Sequence, residues 1–267
     1  MGVKTSITLR EANELFSSYD FTKLIPTTSG IMDTTYIVFS QTDGFILKKY
    51  ERDISQKVEA DIQLLDELKV LGLNTPKCID KSKGWYLYEK LHGTQPRNIQ
   101  TYHIQALARF LSKLHSFTGK RSCQCDLIDK NELGKLLKYT KENFYIYYKK
   151  LNSLKKYDLK HDGIIHGDIF KDNTVFDGKK IGVFDFVDSG CGSFAFDSAV
   201  ALLGFDTFKH NQYNINLFLN TYNQNTLKKL SKKEILSSIE IASKFYALKR
   251  INKSKKTSSA KELIRYI

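Results

Sequence analysis

The segment His166-Gly167-Asp168-Ile169-Phe170-Lys171-Asp172-Asn173, followed by Asp185-Phe186, reads as H-x-D-x-x-x-x-N and then D-F. These residue types at these intervals suit phosphoryl transfer: one carboxylate to take a proton from a hydroxyl, then an amide oxygen and a second carboxylate to hold Mg²⁺. A transferring γ-phosphoryl group passes through a loose, highly charged transition state, so catalysis is mostly positioning and charge neutralisation. Asp168 is the candidate base, taking the hydrogen bond and then the proton of the attacking hydroxyl. Asn173 and Asp185 are hard oxygen donors of the kind Mg²⁺ accepts beside phosphate oxygens and water. The competing reading makes Asp168 and Asn173 simple turn caps.

Those ligands must be placed by the elements between them. Thr174-Val175-Phe176 and Ile181-Gly182-Val183-Phe184 are short apolar runs on either side of Asp177-Gly178, a strong turn signal. Paired as a hairpin with Asp177 to Lys180 as its loop, they set Phe176 opposite Ile181 and Asn173 opposite Phe184, beside Asp185. A turn of this kind folds two ligands from different strands onto one ion, a context that favours the catalytic reading over chance.

A nucleotide also needs partners for its phosphates. Lys48 ends the strand-like run Phe45-Ile46-Leu47 and projects with Ile46, because alternate residues of a strand share a face. Glu59 lies early in the helical pattern that follows. A strand lysine held by a helix glutamate while it contacts the α- and β-phosphates is a known phosphoryl-transfer arrangement, so Lys48 and Glu59 are expected to pair. The alternative makes Lys48 and Lys49 edge-strand solubility residues. Thr28 to Thr35, with Ser29 and Gly30, is the candidate loop over the phosphates, where backbone N–H groups and hydroxyls can cradle an anion; an ordinary β-turn explains it equally well.

The wider chain sets bounds on this chemistry. It has 267 residues, enough for one large domain or two small lobes around a cleft. It is 41% hydrophobic and 27% charged, an ordinary globular balance. No apolar run approaches a membrane span, and Met1 to Arg10 lacks a signal-peptide core, so a cytoplasmic protein without a membrane partner is expected. The four cysteines, Cys78, Cys123, Cys125 and Cys191, do not suggest a disulfide framework. They are expected to be reduced and structurally minor. Cys123-x-Cys125 has no partner pair at metal-ligand spacing. The net charge of +13 is spread along the chain, which speaks for solvated lysine faces rather than a nucleic-acid partner. A positive field favours nucleotide phosphate and does not steer a polycation.

The periodicities divide the chain. Tyr36 to Phe39 and Phe45 to Leu47 read as strands around a turn at Ser40 to Gly44. Val58, Ile62, Leu65, Leu68 and Leu71 recur at helical spacing, and Gly72 ends the pattern. Trp85 to Tyr88 is another strand. Beyond Gly93 the character is helical: Ile104, Leu107, Leu111 and Leu114 make a seam, and a tyrosine-rich helix is expected over 132 to 156. The fold class is therefore α+β, with a β-rich N-terminal nucleotide lobe over 1–90 and a helical lobe over 91–267 that carries the catalytic loop and acceptor site.

With these motifs in view, the chain resembles the aminoglycoside phosphotransferase/choline kinase superfamily, small-molecule relatives of protein kinases, and within it the homoserine kinases of that fold. The resemblance runs from about residue 20 to 252. It is carried by Gly30 to Tyr36, Phe45 to Glu51, His166 to Phe176, Asp185-Phe186, Gly192 to Ala199, Leu230 to Glu234 and Phe245 to Ile251. It implies a bilobal protein-kinase-like fold and an ATP- and Mg²⁺-dependent kinase of a small-molecule hydroxyl. In that setting Asp168 is the catalytic base, Asn173 and Asp185 bind Mg²⁺, and Lys48 with Glu59 position the nucleotide. Asp197 resembles the buried aspartate that braces the catalytic-loop backbone, and His166 orients that loop. Tyr88-Glu89-Lys90-Leu91 links the lobes; in such folds the linker backbone pairs with adenine, which brings in Glu89 and Leu91. Departures are Asp33 in place of the expected loop asparagine and Phe170 where protein kinases carry a lysine. No activation segment is recognisable, which also counts against a protein kinase.

A homoserine-like acceptor needs an anionic partner for its amino group and a cationic or N–H-rich partner for its carboxylate. Asp188 is a candidate for the first, or an outer metal ligand, or a turn residue. Arg97, Lys249 and Arg250 are candidates for the second. Choline needs an aromatic cage, and an aminoglycoside a strongly acidic cleft, which a +13 chain disfavours. A binding-only scaffold is the reading of a different class. The intact trio Asp168, Asn173 and Asp185 removes the usual sequence reason for it.

Overall fold

The computed structural model describes residues 3–27, 32–123, 125–157, 160–205, 212–265 and 267. The chain divides into two compact units, Met1–Gly93 with Gly182–Val187, and Thr94–Ile181 with Asp188–Ile267. The first boundary falls three residues beyond the expected one, and the short piece that rejoins the first unit carries Asp185-Phe186.

The first unit begins with helix α1 (Leu9–Leu15), started by a reciprocal Thr8–Glu11 capping box. Strands β1 (Lys23–Pro26), β2 (Thr34–Phe39) and β3 (Gly44–Lys49) follow, then helix α2 (Ser55–Val70), β4 (Cys78–Ser82) and β5 (Trp85–Glu89). The sheet is antiparallel throughout, in the order β1-β2-β3-β5-β4. Pro26 sits on edge strand β1, where a missing N–H is tolerated. Tyr36, Val38, Leu47, Trp85 and Leu87 turn to one face and build a core with Ile7, Ala12, Phe16 and Phe21. The opposite face carries Ile46 and Lys48, with Tyr88 and Tyr86 as their partners in β5. Lys48 thus stands on the central strand, so the edge-strand reading does not apply to it.

The second unit contains α3 (Thr101–Thr118), α4 (Lys130–Asn143), α5 (Tyr145–Leu151), β6 (Gly163–Ile165), β7 (Thr174–Asp177), β8 (Lys180–Val183), β9 (Gly190–Gly192), α6 (Phe194–Gly204), α7 (Gln212–Gln224), α8 (Lys232–Ser254) and α9 (Lys261–Ile264), the unit boundary falling inside β8. Every residue of α6 is buried, as befits a helix that is apolar all round and central to a helical core. It packs on α8, and α3 packs on α7. β6 pairs with β9, and β7 with β8. The tyrosine-rich helix expected over 132 to 156 is broken at Phe144, and Asn152–Lys156 is a separate 3₁₀ turn. Near the break the Thr140 hydroxyl donates to the Leu136 carbonyl at 2.9 Å, a local bond that competes with the helix ladder. No helix among the described residues is long and apolar enough to cross a membrane.

Candidate active site

In the second unit the motif is held from beneath by one carboxylate. β6 delivers the chain into His166, and the backbone N–H groups of His166 and Gly167 donate to Asp197 Oδ2 and Oδ1 at 3.0 and 2.7 Å. Asp197 lies in the first turn of α6, where the helix dipole favours negative charge. His115 Nε2 lies 3.0 Å from Asp197 Oδ2, and its Nδ1 lies 2.8 Å from the Tyr222 hydroxyl. Burial, the strongest influence, opposes ionisation of Asp197. The hydrogen bond and charge of His115, the charge of His166 and the Gly167 N–H together outweigh it and hold the carboxyl below its ordinary value.

Gly167 has φ 74°, and a Cβ there would lie 2.4 Å from the Leu127 side chain, so glycine is required between His166 and Asp168. The Asp168 N–H donates to His166 Nδ1 at 3.2 Å, which fixes the ring as a loop support. Asn173 Nδ2 donates to the Asp168 carbonyl at 2.8 Å and to its Oδ2 at 3.0 Å. That orientation leaves Oδ1 as the amide atom suited to a hard cation. Tyr246 donates from its hydroxyl to the Gly167 carbonyl. Burial first, then the charges of Asp168 and Asp197, push its phenol well above the usual value, so it stays a neutral donor. The far end of the motif is tied by Gln95 Nε2 on the Asp172 carbonyl at 3.0 Å.

In the first unit Lys48 Nζ meets Asp185 Oδ1 at 2.6 Å and lies 4.8 Å from the centre of the Tyr50 ring. The Tyr50 hydroxyl is 3.1 Å from that of Tyr88. Burial above all, then Tyr88 and the charges of Asp61 and Asp185, push the Tyr50 phenol above its ordinary range. Asp185 has φ 70°, a left-handed conformation that a non-glycine residue adopts at a cost and that clusters at functional sites. Phe186 beside it is buried.

Glu59 is a correction. Its carboxylate takes Lys81 Nζ at 2.8 Å on an exposed surface and does not meet Lys48. The buried stripe of α2 is Val58, Asp61, Leu64, Leu65 and Leu68, and Glu59 stands one residue, about 100°, off that stripe. The acid that α2 buries is Asp61, whose charge acts on both Tyr50 and Tyr88. Glu89 ends β5; its carboxylate pairs with Lys69 and its N–H donates to the Lys77 carbonyl at 2.9 Å. Leu91 follows β5 and is half-buried. Ser29 and Gly30 lie outside the described residues. Asp33, at the end of that loop, is buried and accepts from Arg52 at 3.0 Å and from the Glu51 N–H at 3.1 Å, a structural task. Asp188 is exposed.

His115, Tyr222, Tyr246 and Asp61 were not picked out from the sequence. The signal for His115 and Asp61 was a polar residue in register with an apolar stripe. The cysteines are a second correction: Cys123 and Cys191 form a disulfide, and Cys78 and Cys125 are free. Their sequence separation of 68 hid the contact, which arises because residues 125–127 run beside β9.

Among the described residues, no group of three or more His, Cys, Asp or Glu could hold a metal ion. Asn173 Oδ1 and the Asp185 carboxylate are each hard oxygen donors of the kind that Mg²⁺ accepts beside phosphate and water.

The profile of the phosphotransferase enzyme family matches residues 23–218. A homoserine kinase of Methylobacillus flagellatus is 23% identical over 226 residues, covering 76% of this chain and 70% of that protein. A homoserine kinase of Bradyrhizobium diazoefficiens is 23% identical over 269 residues, covering 88% and 80%. Among solved structures, the amicoumacin kinase hAmiN, determined with AMP-PNP, Ca²⁺ and Ami, superposes with a TM-score of 0.75 at 16% identity, covering 97% of this chain and 90% of that one. The choline kinase LicA of Streptococcus pneumoniae gives 0.69 at 14% identity, covering 97% and 98%. These structures share the fold. With its motif loop braced from within a helical core and the family profile spanning most of its length, the chain belongs to the phosphotransferase enzyme family and is an enzyme of the small-molecule kinase kind.

Proposed function

We propose that the protein is an ATP- and Mg²⁺-dependent kinase of a small-molecule hydroxyl, with a homoserine-like amino acid as acceptor. The observation that carries the phosphoryl-transfer reading is the Asp168 cradle: two backbone N–H groups on buried Asp197 fix the loop, and Asn173 Nδ2 fixes the Asp168 carboxylate. A base held in this way presents an oxygen to an incoming hydroxyl without reorganising. Bound Mg²⁺-ATP supplies the phosphoryl group and neutralises the charge that develops on it. Asp168 orients the acceptor hydroxyl and takes its proton. Asn173 and Asp185 offer the metal their oxygens, Lys48 offers its ammonium to phosphate, and the backbone of Glu89 and Leu91 lies in the adenine region.

The homoserine kinase names among the relatives support the acceptor. Of the cationic candidates for its carboxylate, Arg250 is best supported: its guanidinium lies 5.7 Å from the Phe170 ring centre, two residues from Asp168. Lys249 is occupied over Phe245 and Tyr246.

The test is ADP release with Mg²⁺-ATP against homoserine, choline, ethanolamine, kanamycin and several sugars. Homoserine alone should stimulate it strongly, and Arg250→Ala should raise the homoserine KM far more than that for ATP. Stimulation by another member keeps the phosphotransfer and overturns the acceptor. With ATP bound, silence across the panel and in an unstimulated ATPase assay would leave a nucleotide-binding scaffold.

A further inference from the structure

The Cys123–Cys191 disulfide does not stand alone. Cys125 is an exposed free thiol, and its carbonyl accepts the Cys191 N–H at 2.7 Å. The same segment continues alongside β9, with the Leu127 N–H donating to the Cys191 carbonyl at 3.0 Å. Three cysteines from two stretches of chain are thereby gathered at one strand. Their access differs sharply: Cys191 is 1% exposed, Cys123 is half-buried and Cys125 is open to solvent. A dissolved oxidant or reductant cannot approach the Cys191 sulfur directly. Exchange must enter through a more accessible sulfur and be handed inward, because each step is an in-line attack of thiolate on disulfide.

The location matters. Cys191 stands opposite Ile164 in the β6–β9 pair, and Ile165, the next residue of β6, runs into His166. The bridge therefore ties the strand beneath the catalytic loop to the segment that leaves α3.

We propose that Cys123, Cys125 and Cys191 form a thiol–disulfide relay, in which Cys125 is the entry thiol and the Cys123–Cys191 bridge is a reversible staple under the His166–Asp168 loop. Starting from three thiols, the Cys125 thiolate attacks a low-molecular-weight disulfide such as oxidised glutathione, forming a mixed disulfide and releasing one glutathione thiolate. The Cys123 thiolate attacks the Cys125 sulfur and releases the second glutathione. The Cys191 thiolate then attacks the Cys123 sulfur, forms the buried bridge and returns Cys125 as a thiolate. Overall two protein thiols are oxidised, one external disulfide is reduced to two thiols, and the protons of Cys123 and Cys191 pass to the released glutathione. The reverse sequence opens the staple in excess thiol. The relay is independent of the acceptor and of the kinase reading.

The test uses the full chain, reduced and then exposed to oxidised glutathione, with thiols trapped by alkylation over time and disulfides mapped by peptide mass. Wild type should pass through a glutathione adduct on Cys125 and finish with Cys123–Cys191 bridged and Cys125 alkylated. Cys125→Ser, an exposed change whose fold is checked by circular dichroism, should form the same bridge at least tenfold more slowly. If folded wild type never forms Cys123–Cys191, the staple is overturned. If Cys125→Ser bridges with less than a tenfold delay, the relay is overturned and Cys123 is the entry point.

Discussion

The two candidate halves of the chemistry are built in opposite ways. Beneath the Asp168 loop the bracing is buried and many-sided: Asp197 accepts from two backbone N–H groups and from His115, Tyr222 backs His115, and the Tyr246 hydroxyl donates to the Gly167 carbonyl. Around Lys48 the contact to Asp185 is a single charged pair whose acid side chain is 40% exposed. A buried, fully bonded network holds a group in one position because each alternative strands a polar atom. A half-exposed ion pair is screened by water and can be exchanged for another partner. The candidate base Asp168 is thus fixed by its surroundings, whereas Lys48 and Asp185 stay adaptable, as would suit their proposed roles toward phosphate and metal.

The contrast is tested first at its most rigid point. Asp168→Asn keeps size and the loop but removes the base; kcat should fall about 10²- to 10⁴-fold with ATP binding retained. Turnover near that of wild type would show that proton removal does not pass through Asp168. Asp197→Ala strips two N–H groups and His115 of their acceptor, and should destabilise the fold by about 3–5 kcal/mol, read by urea unfolding. The sign with pH follows from the depressed carboxyl. Its folded value lies below the unfolded one, so its contribution is complete above the unfolded value of about 3.9 and fades as pH falls through the folded value. Asp197→Asn should flatten that acid limb of the stability profile. An acid limb identical to that of wild type would remove Asp197 as its source.

The same contrast explains what could be read in the residues. The candidate catalytic loop was legible because its motif is compressed into eight consecutive residues. The strands β2, β3 and β5 were legible because each carries a short run of apolar and aromatic residues bounded by recognisable turns. What escaped was contact between distant segments. His115 and Tyr222 are ordinary helical residues until α3 and α7 pack together, and the Cys123–Cys191 bridge needs β9 beside residues 125–127. Glu59 was misplaced for a subtler reason. The apolar spacing located α2 correctly, but Glu59 was chosen for its place early in the helix; Asp61, in register with the stripe, is the acid that α2 buries.

The adaptable half yields the smaller effects. Lys48→Ala removes the ammonium facing Asp185 and the proposed phosphate contact. The loss of one charge-assisted bond of about 1.5–3 kcal/mol corresponds to roughly 10- to 150-fold in kcat/KM for ATP, with little change in unfolding. An unaltered ATP dependence would detach Lys48 from the nucleotide.

Glu59→Gln sharpens the comparison from the other side. Were Glu59 the partner of the phosphate-binding lysine, its loss would follow that of Lys48 in the ATP dependence. In the structure its partner is Lys81, both side chains are half or more exposed, and such pairs contribute about 0–1 kcal/mol. Glu59→Gln should therefore leave kcat and the KM for ATP unchanged and move the unfolding midpoint only slightly. Asp61→Asn, a change of similar chemistry two residues along the same helix, should register in both, because its charge acts on Tyr50 and Tyr88 from the buried face. Equal effects from the two variants would mean that the buried face of α2 does not govern the Lys48 environment.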